Sequence, residues 1–264
     1  PKPTLSKEEY QIRFNNIRQH LLRGNIYEVN YCQNFEAEGV ELDPFASWEK
    51  LNRLSPAPFS CLLKYQNAWL LCSSPERFLS KQGQTIVSQP IKGTAKRTGN
   101  PSSDQIRIQQ LRHSEKERSE NIMIVDLVRN DLSVSLLPGT VKVAELCGIY
   151  PYARVFQMVS TIQGQLKEND SGVETIRHAF PMGSMTGAPK IKAMEIAAHA
   201  ENFERGIYSG TVGFFDPSDN FDLNVVIRSI VWNSHSKKLR FCAGSAVTVE
   251  ASAEAKYDEC LLKS

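Results

Sequence analysis

"PFSCLLKY" (58–65), "AWLLCSS" (68–74), "RFLSKQG" (77–83) and "QTIVSQP" (84–90) follow one another with only short polar breaks between them. Each run is aliphatic, aromatic or β-branched, and Pro, Asn, Ser or Gly bounds it, which is the pattern of consecutive strands. No helix-length segment separates them. Neighbours are therefore expected to pair antiparallel, as a meander, because parallel strands need long crossovers. "IYEVNYCQNF" (26–35) adds a strand upstream, and further strands are expected around 140–147 and 155–163. The C-terminal third repeats the pattern in "GTVGFFD" (210–216), "DLNVVIRSIVW" (222–232), "KLRFCAG" (238–244) and "AVTVE" (246–250).

Helices fall outside these batches. Ser6-Lys7-Glu8-Glu9 has the form of a capping box, and Tyr10, Phe14, Ile17 and Leu21 recur behind it at helical spacing until Gly24-Asn25. The longest helical stretch begins near Pro101 and runs towards Asn130. Another opens at Gly187-Ala188-Pro189, with the proline in its first turn, and runs to about Arg205-Gly206. A closing helix starts near Ala253. Strands in two batches, each followed by helix, predict an α+β fold with large mixed or antiparallel sheets, not a doubly wound parallel one. No repeat or linker divides residues 1–264, so one domain is expected.

The 264 residues suffice for a sizeable core, and the net charge of +2 predicts no nucleic-acid partner. No apolar run reaches membrane-spanning length, and no cationic leader precedes the first helix. Cys32, Cys61, Cys72, Cys147, Cys242 and Cys260 form no C-x-x-C pair. They read as reduced thiols of a cytoplasmic chain, without zinc. The chain opens at Pro1 rather than Met, so an N-terminal portion is expected to lie outside it.

Several stretches could carry chemistry. In "EKERSENIMIVDLVRND" (115–131), Glu117 and Glu120 share a helix face with His113, Ile124 and Leu127. They are either a solvated charged face paired with Lys116 and Arg118, or a divalent-cation site, since Mg²⁺ takes one or two carboxylates and keeps its other positions for water and substrate. Glu254, Asp258 and Glu259 form a second acidic group on the closing helix. "FPMGSMTGAPK" (180–190) is glycine-rich and opens a helix, as either a plain turn or an anion cradle, but it is no Walker A loop. "CAGSAVTVE" (242–250) is a second candidate cradle, through Ala243 and Gly244. Arg228 lies in an apolar strand, where a buried guanidinium needs an anion. Tyr208 is either core or ligand-facing. "QPIKGTAKR" (89–97) places Lys92 in a Pro- and Gly-bracketed turn, as either a surface basic loop or a nucleophile. Together these features suit a small dicarboxylate bound with Mg²⁺.

"IYEVNYCQNF", "APFSCLLK", "SSPERFL", "QPIKGTAKR", "RSENIMIVDLVRNDL", "MVSTIQGQL", "FPMGSMTGAPKIKAMEI", "RGIYSGTVGF", "VVIRSI" and "CAGSAVTVEASAEAKYDE" occur in this order over almost the whole chain. In this the chain resembles the chorismate-utilising enzyme family. The resemblance implies a sandwich of two large sheets flanked by helices, with the active site in the cleft between the sheets. It implies Mg²⁺ on Glu120 and Glu259, with Glu117 nearby, holding the ring carboxylate of chorismate. It implies Arg228 and Tyr208 at the enolpyruvyl carboxylate, and backbone donors from the Gly244-Ser245 and Thr186-Gly187 turns. Glu76 matches the general acid for the C4 hydroxyl. Alanine at the position of Lys92 goes with anthranilate, isochorismate and salicylate formation; lysine marks the aminodeoxychorismate synthase branch. There its amine is thought to attack C2, expelling the C4 hydroxyl, before ammonia adds at C4. Such an amine must be neutral, and a dry site with Mg²⁺ nearby would lower its pKa.

Four positions depart from the family pattern. Gln157 replaces a histidine that helps position substrate, and an amide cannot carry its charge. Glu28 stands where ammonia-using members have glutamine and water-using members lysine. Ser245-Ala246 replace glycines, and Lys256 stands where several relatives have a glutamate near the metal. The resemblance implies amination of chorismate for p-aminobenzoate and folate synthesis, with ammonia from a glutamine amidotransferase subunit (component II). The alternatives are an anthranilate synthase component I and a non-catalytic chorismate-binding subunit that docks the amidotransferase.

Overall fold

A computed structural model describes residues 1–263, which divide into two compact units. The first comprises 1–75, 185–210 and 226–263; the second comprises 76–184 and 211–225. The single domain expected from the sequence is thus built as two units, and the chain passes from one to the other at Pro75-Glu76. Each unit holds one seven-stranded sheet, and every strand pair in both is antiparallel. The expected α+β class is therefore observed in its antiparallel form.

In the first unit the strands run in the order Lys2–Pro3, Glu28–Ala37, Lys238–Val247, Ser229–Asn233, Ala68–Ser74 and Phe59–Tyr65; Gly187–Ala188 also pairs with Glu28–Ala37. The Glu28–Ala37 strand is buried on both faces over most of its length, as expected for a central strand with helices beside it. The Lys7–Leu22 helix carries the complete Ser6–Glu9 capping box. It buries Tyr10, Phe14, Ile17 and Leu21 against Val29 and Tyr31 of that strand and Ala193, Ile196 and Ala197 of the Lys190–Ala200 helix. The closing Ala253–Leu262 helix adds Tyr257 to this core. The Pro44–Leu54 helix, absent from the sequence reading, is capped by the Asp43 carboxylate, which accepts from the Phe45 and Ala46 N–H groups, and carries Pro44 in its first turn.

In the second unit the order is Gly213–Phe215, Phe221–Asn224, Arg77–Gln82, Thr85–Gln89, Val155–Gln165 and Ile91–Lys96, with Lys142–Pro151 also on Val155–Gln165. The Glu115–Ser133 helix packs on the Ile91–Lys96 and Val155–Gln165 strands.

Several expectations need correction. The meander over 58–90 is two hairpins in two sheets, split where Pro75, which has no N–H to give a ladder, interrupts the run. "DLNVVIRSIVW" is not one strand: Phe221–Asn224 and Ser229–Asn233 belong to different sheets. The helix over 101–130 is two helices, Pro101–His113 and Glu115–Ser133, broken where Ser114 turns extended and caps the second by accepting from the Glu117 N–H. His113 therefore ends one helix and does not continue the Glu117–Glu120 face. Helix 187–206 is shorter than expected, Lys190–Ala200, with extended Pro189 as its N-cap rather than in its first turn.

Candidate active site

The second unit assembles Lys92, Glu76, Glu117 and Gln157. Lys92 is not in a turn. The strands Thr85–Gln89 and Ile91–Lys96 lie along one edge of Val155–Gln165, interrupted at Pro90. Ile91 faces Val159 but Thr94 faces Gln157, so Lys92 and Gly93 together oppose the single residue Met158. This is a β-bulge, a device that re-aims side chains and leaves ladder groups unpaired. Gly93 sits at φ +96, and a Cβ there would lie 3.2 Å from the Glu117 Cβ, the Glu117 Oε2 and the Met158 Cβ. The positive φ favours glycine, and the tight contacts with Glu117 and Met158 add to that preference. The bulge thus packs directly on the first turn of the Glu115–Ser133 helix.

Asn121, one turn further along that helix and 1 % exposed, closes the break. Its Nδ2 donates to the Lys92 carbonyl at 3.5 Å and the Met158 carbonyl at 3.3 Å, and its Oδ1 accepts from the Ser160 hydroxyl and the Cys147 thiol. Sequence reasoning missed Asn121; the available signal was a lone amide on the apolar stripe of "SENIMIV". Glu117 and Glu120 lie on one half-buried face of the same helix, a turn apart.

Glu76 is 5 % exposed. Burial pushes its carboxyl up to about 7, against the opposing pull of the Ser184 hydroxyl, the Lys92 charge and the Ile91 N–H. Ser184, a further residue missed from sequence, sits in the short Gly183–Thr186 helix. Tyr152 lies close enough to Glu76 that, after burial, the carboxylate is the main influence raising its phenol. Gln157 is 7 % exposed, and its Oε1 has no hydrogen-bond partner among the described residues. A small cavity of about 10 Å³, lined by Glu76, Ser88, Asp131 and Ser184 among others, leaves room for about one water.

The first unit holds the remaining expected residues in separate groups. Gly187 lies at φ +138 with the Glu28 carbonyl 2.2 Å from where a Cβ would be, so only glycine permits its pairing with the buried Glu28. Thr186 is buried beside it. The expected 183–187 cradle is a four-residue helix followed by this strand pairing, not a loop opening a long helix.

Gly244 lies inside a strand, opposite Cys32, rather than in a turn. A Cβ on it would come within 2.5 Å of the Asn30 Oδ1 and the Cys32 Sγ and 3.4 Å of the Tyr208 hydroxyl. Tyr208 is buried, and burial holds its phenol well above the ordinary range, so it is a donor at neutral pH. Ser245 is buried, and its Oγ has no partner among the described residues. Arg228 is not buried in a strand: it is exposed, at φ +52, between the two strands that replace the expected one. Its carbonyl accepts from the Ser73 N–H at 3.1 Å.

Glu259 accepts from Lys256 at 2.9 Å and Lys263 at 2.6 Å. Burial raises its carboxyl, but the two ammonium groups outweigh that and hold it low. In the same unit a bidentate Arg205–Glu201 pair ties the end of the Lys190–Ala200 helix to the Asn30 carbonyl and the Cys32 N–H.

Among the described residues no cluster of three or more His, Cys, Asp or Glu could cage a metal. Glu117 and Glu120 nevertheless fit Mg²⁺, a hard cation that takes one or two carboxylates and fills its other positions with water and substrate oxygens. No helix among the described residues is long and apolar enough to cross a membrane, and all six cysteines are free thiols.

Comparison with known proteins joins these observations. Aminodeoxychorismate synthase, chloroplastic, from Arabidopsis thaliana is 40 % identical over 264 residues, which cover 99 % of this chain and 28 % of that protein. Aminodeoxychorismate synthase component 1 from Salmonella typhimurium is 37 % identical over 255 residues, 97 % of this chain and 56 % of the relative. The chain thus spans little more than half the length of the second relative and under a third of the first. Anthranilate synthase component I from Streptococcus pneumoniae shares the fold, with a TM-score of 0.90 at 24 % identity over 99 % of this chain and 57 % of that one. The family model described as chorismate binding enzyme matches residues 1–264, and the chain belongs to that family.

Proposed function

We propose that the protein of which this chain is part converts chorismate and ammonia to 4-amino-4-deoxychorismate and water, the step that leads to p-aminobenzoate and folate. The observation that carries the reading is the juxtaposition, within one unit, of Lys92 on a β-bulge and a buried Glu76 whose carboxyl is raised to about 7. A carboxyl raised that far still holds a proton near neutrality, as a general acid must.

In the proposed sequence the neutral Lys92 amine forms a bond to C2 of chorismate. The ring double bonds shift, the C4–O bond breaks, and Glu76 gives its proton to the departing hydroxyl, which leaves as water. Ammonia then bonds to C4, the double bonds shift back, and the C2–N bond to Lys92 breaks, returning the amine. Asn121 holds the bulge that aims Lys92, and Glu117 packs against Gly93 on its other side. Gln157 pairs with Thr94 of the same strand, and its Oε1, without a partner among the described residues, is an acceptor suited to a substrate hydroxyl or an amine.

Mg²⁺, when bound, would neutralise and orient the ring carboxylate. Glu120 would be its ligand in the second unit, with Glu117 beside it. Glu259 is proposed as a Mg²⁺ ligand from the resemblance alone. Tyr208, Arg228, Ser245, Thr186, Gly187 and Glu28 are proposed as substrate contacts on the same basis. The relative's name "component 1" implies that it has a second component. A glutamine amidotransferase supplying ammonia is proposed here as the partner, and the cytoplasm as the location.

The test is mass spectrometry of the products formed by the full-length protein from chorismate, Mg²⁺ and ammonium. Aminodeoxychorismate is expected. Anthranilate with pyruvate would assign the chain to the sister reaction, and chorismate binding without turnover would make it a non-catalytic subunit.

A further inference from the structure

Cys61 and Cys72 stand directly opposite each other where the Phe59–Tyr65 and Ala68–Ser74 strands pair antiparallel, in a ladder whose register runs unbroken. Their side chains share a hydrogen bond. The Cys72 thiol also reaches the Ile227 carbonyl, at 3.9 Å. Directly opposed Cα atoms in such a ladder lie about 4.5–5.5 Å apart, within the roughly 4.4–6.8 Å that a disulfide spans. Among the described residues Cys61 is the one cysteine that is not buried. Side chains alternate along a strand, and Trp69, which meets Phe45 of the Pro44–Leu54 helix, points to the helix-covered face. Cys61 and Cys72 therefore lie on the opposite face, in line with Leu63 and Tyr65, which are 40 % and 72 % exposed. Phe59–Tyr65 is also the last strand of its sheet, so a small molecule can reach Cys61 from that edge.

We propose that Cys61 and Cys72 form a redox-modification site, which a small-molecule disulfide of the glutathione type converts to a cross-strand disulfide. The partly exposed Cys61 thiolate attacks one sulfur of the oxidant. That S–S bond breaks, one thiol leaves, and Cys61 holds a mixed disulfide. The Cys72 thiolate then attacks the Cys61 sulfur, the mixed bond breaks, and the second thiol leaves. The two cysteines together lose two electrons and two protons, and the oxidant gains both as two thiols. The hydrogen bond with Cys72, and after it burial, holds the Cys61 thiol above its ordinary range. Little thiolate is therefore present near neutrality, and the first step is slow. The second step is favoured because its partner is already in contact. A cross-strand pair must draw its Cβ atoms in from about 4.5–5.5 Å to about 3.5–4.5 Å, which strains the bond and leaves it open to reduction. The site is therefore reversible. It does not depend on the chorismate chemistry.

The test is incubation of the native full-length protein with oxidised glutathione, followed by alkylation of the remaining thiols and non-reducing tryptic mapping by mass spectrometry. Cleavage after Arg53, Lys64 and Arg77 puts the two cysteines on separate peptides, 54–64 and 65–77. These two peptides should appear joined, ahead of any other cysteine pair, and dithiothreitol should release them. The initial rate should rise roughly tenfold per pH unit over about pH 7–9, as the thiolate fraction does. Cys72→Ser should stop at glutathione on Cys61, and Cys61→Ser should leave the buried Cys72 unmodified. A parent that accumulates glutathione on Cys61 without closing to Cys72, or that links other cysteines first, overturns the proposal. So does a parent in which both thiols are still alkylated after prolonged exposure.

Discussion

Replacing Glu76 by glutamine should change how stability depends on pH. The side chain is almost wholly buried, and its carboxyl is raised from an ordinary 4.5 to about 7, chiefly by loss of solvent. Between those two values the folded state keeps a proton that the unfolded state has released. Stability therefore falls as pH rises through that window. The gap, at about 1.36 kcal/mol per pH unit, amounts to about 3 kcal/mol, present at pH 4 and gone by pH 8. Glutamine cannot ionise and fits the same space. Urea denaturation of parent and Glu76→Gln at pH 5, 6, 7 and 8 reads the effect directly. The parent should lose about 2.5 kcal/mol relative to the variant across the series, with most of the loss between pH 5 and 7. Curves that stay parallel would show that Glu76 is ionised in the fold, and the general-acid argument would lose its footing.

Three further outcomes follow from the same site. Lys92→Met removes the positive charge that opposes the rise at Glu76, so the Glu76 carboxyl, followed by carbon-13 NMR, should titrate at a higher pH than in the parent. Gly93→Ala forces a Cβ into φ +96 and against Glu117 and Met158, and should cost about 1–3 kcal/mol in chemical denaturation. Asn121→Ala leaves the Lys92 and Met158 carbonyls of the bulge without their donor; a loss of about 1–3 kcal/mol is expected, together with a fall in kcat larger than any change in KM.

What the sequence disclosed and what it hid divide along physical lines. The Ser6–Glu9 cap and the Tyr10, Phe14, Ile17, Leu21 stripe are local signals, and the first helix stands where they place it. Strand-forming runs were equally plain, but strand partners are chosen by contacts far apart in sequence. Nothing in "CSSPERF" announces that the chain leaves one sheet for another at Pro75. The "NVVIRSI" run reads as continuous because apolar residues do not reveal a reversal into positive φ, which leaves Arg228 exposed rather than buried. At Lys92 the sequence shows the right neighbours and hides the geometry. Pro and Gly suggested a turn, whereas the strand continues and Gly93 permits a bulge. Asn121 shows in the sequence only as a lone amide on an apolar stripe, and the roles of Asn121 and Ser184 are hidden because each acts on a residue remote in sequence. The acidic pair Glu117 and Glu120 was legible because a helix fixes its own neighbours. The engagement of Glu259 by Lys256 and Lys263 is equally local, at spacings of three and four, and was readable in "KYDECLLK".

The central claim is that Lys92 is a nucleophile towards chorismate, and intact-protein mass spectrometry tests it most directly. Full-length protein incubated with chorismate and Mg²⁺, with ammonia and glutamine withheld, should gain the mass of chorismate less one water, and peptide mapping should place that gain on Lys92. Lys92→Ala should show neither the adduct nor aminodeoxychorismate when ammonium is restored. Full turnover by Lys92→Ala, with no adduct on the parent, would contradict the account.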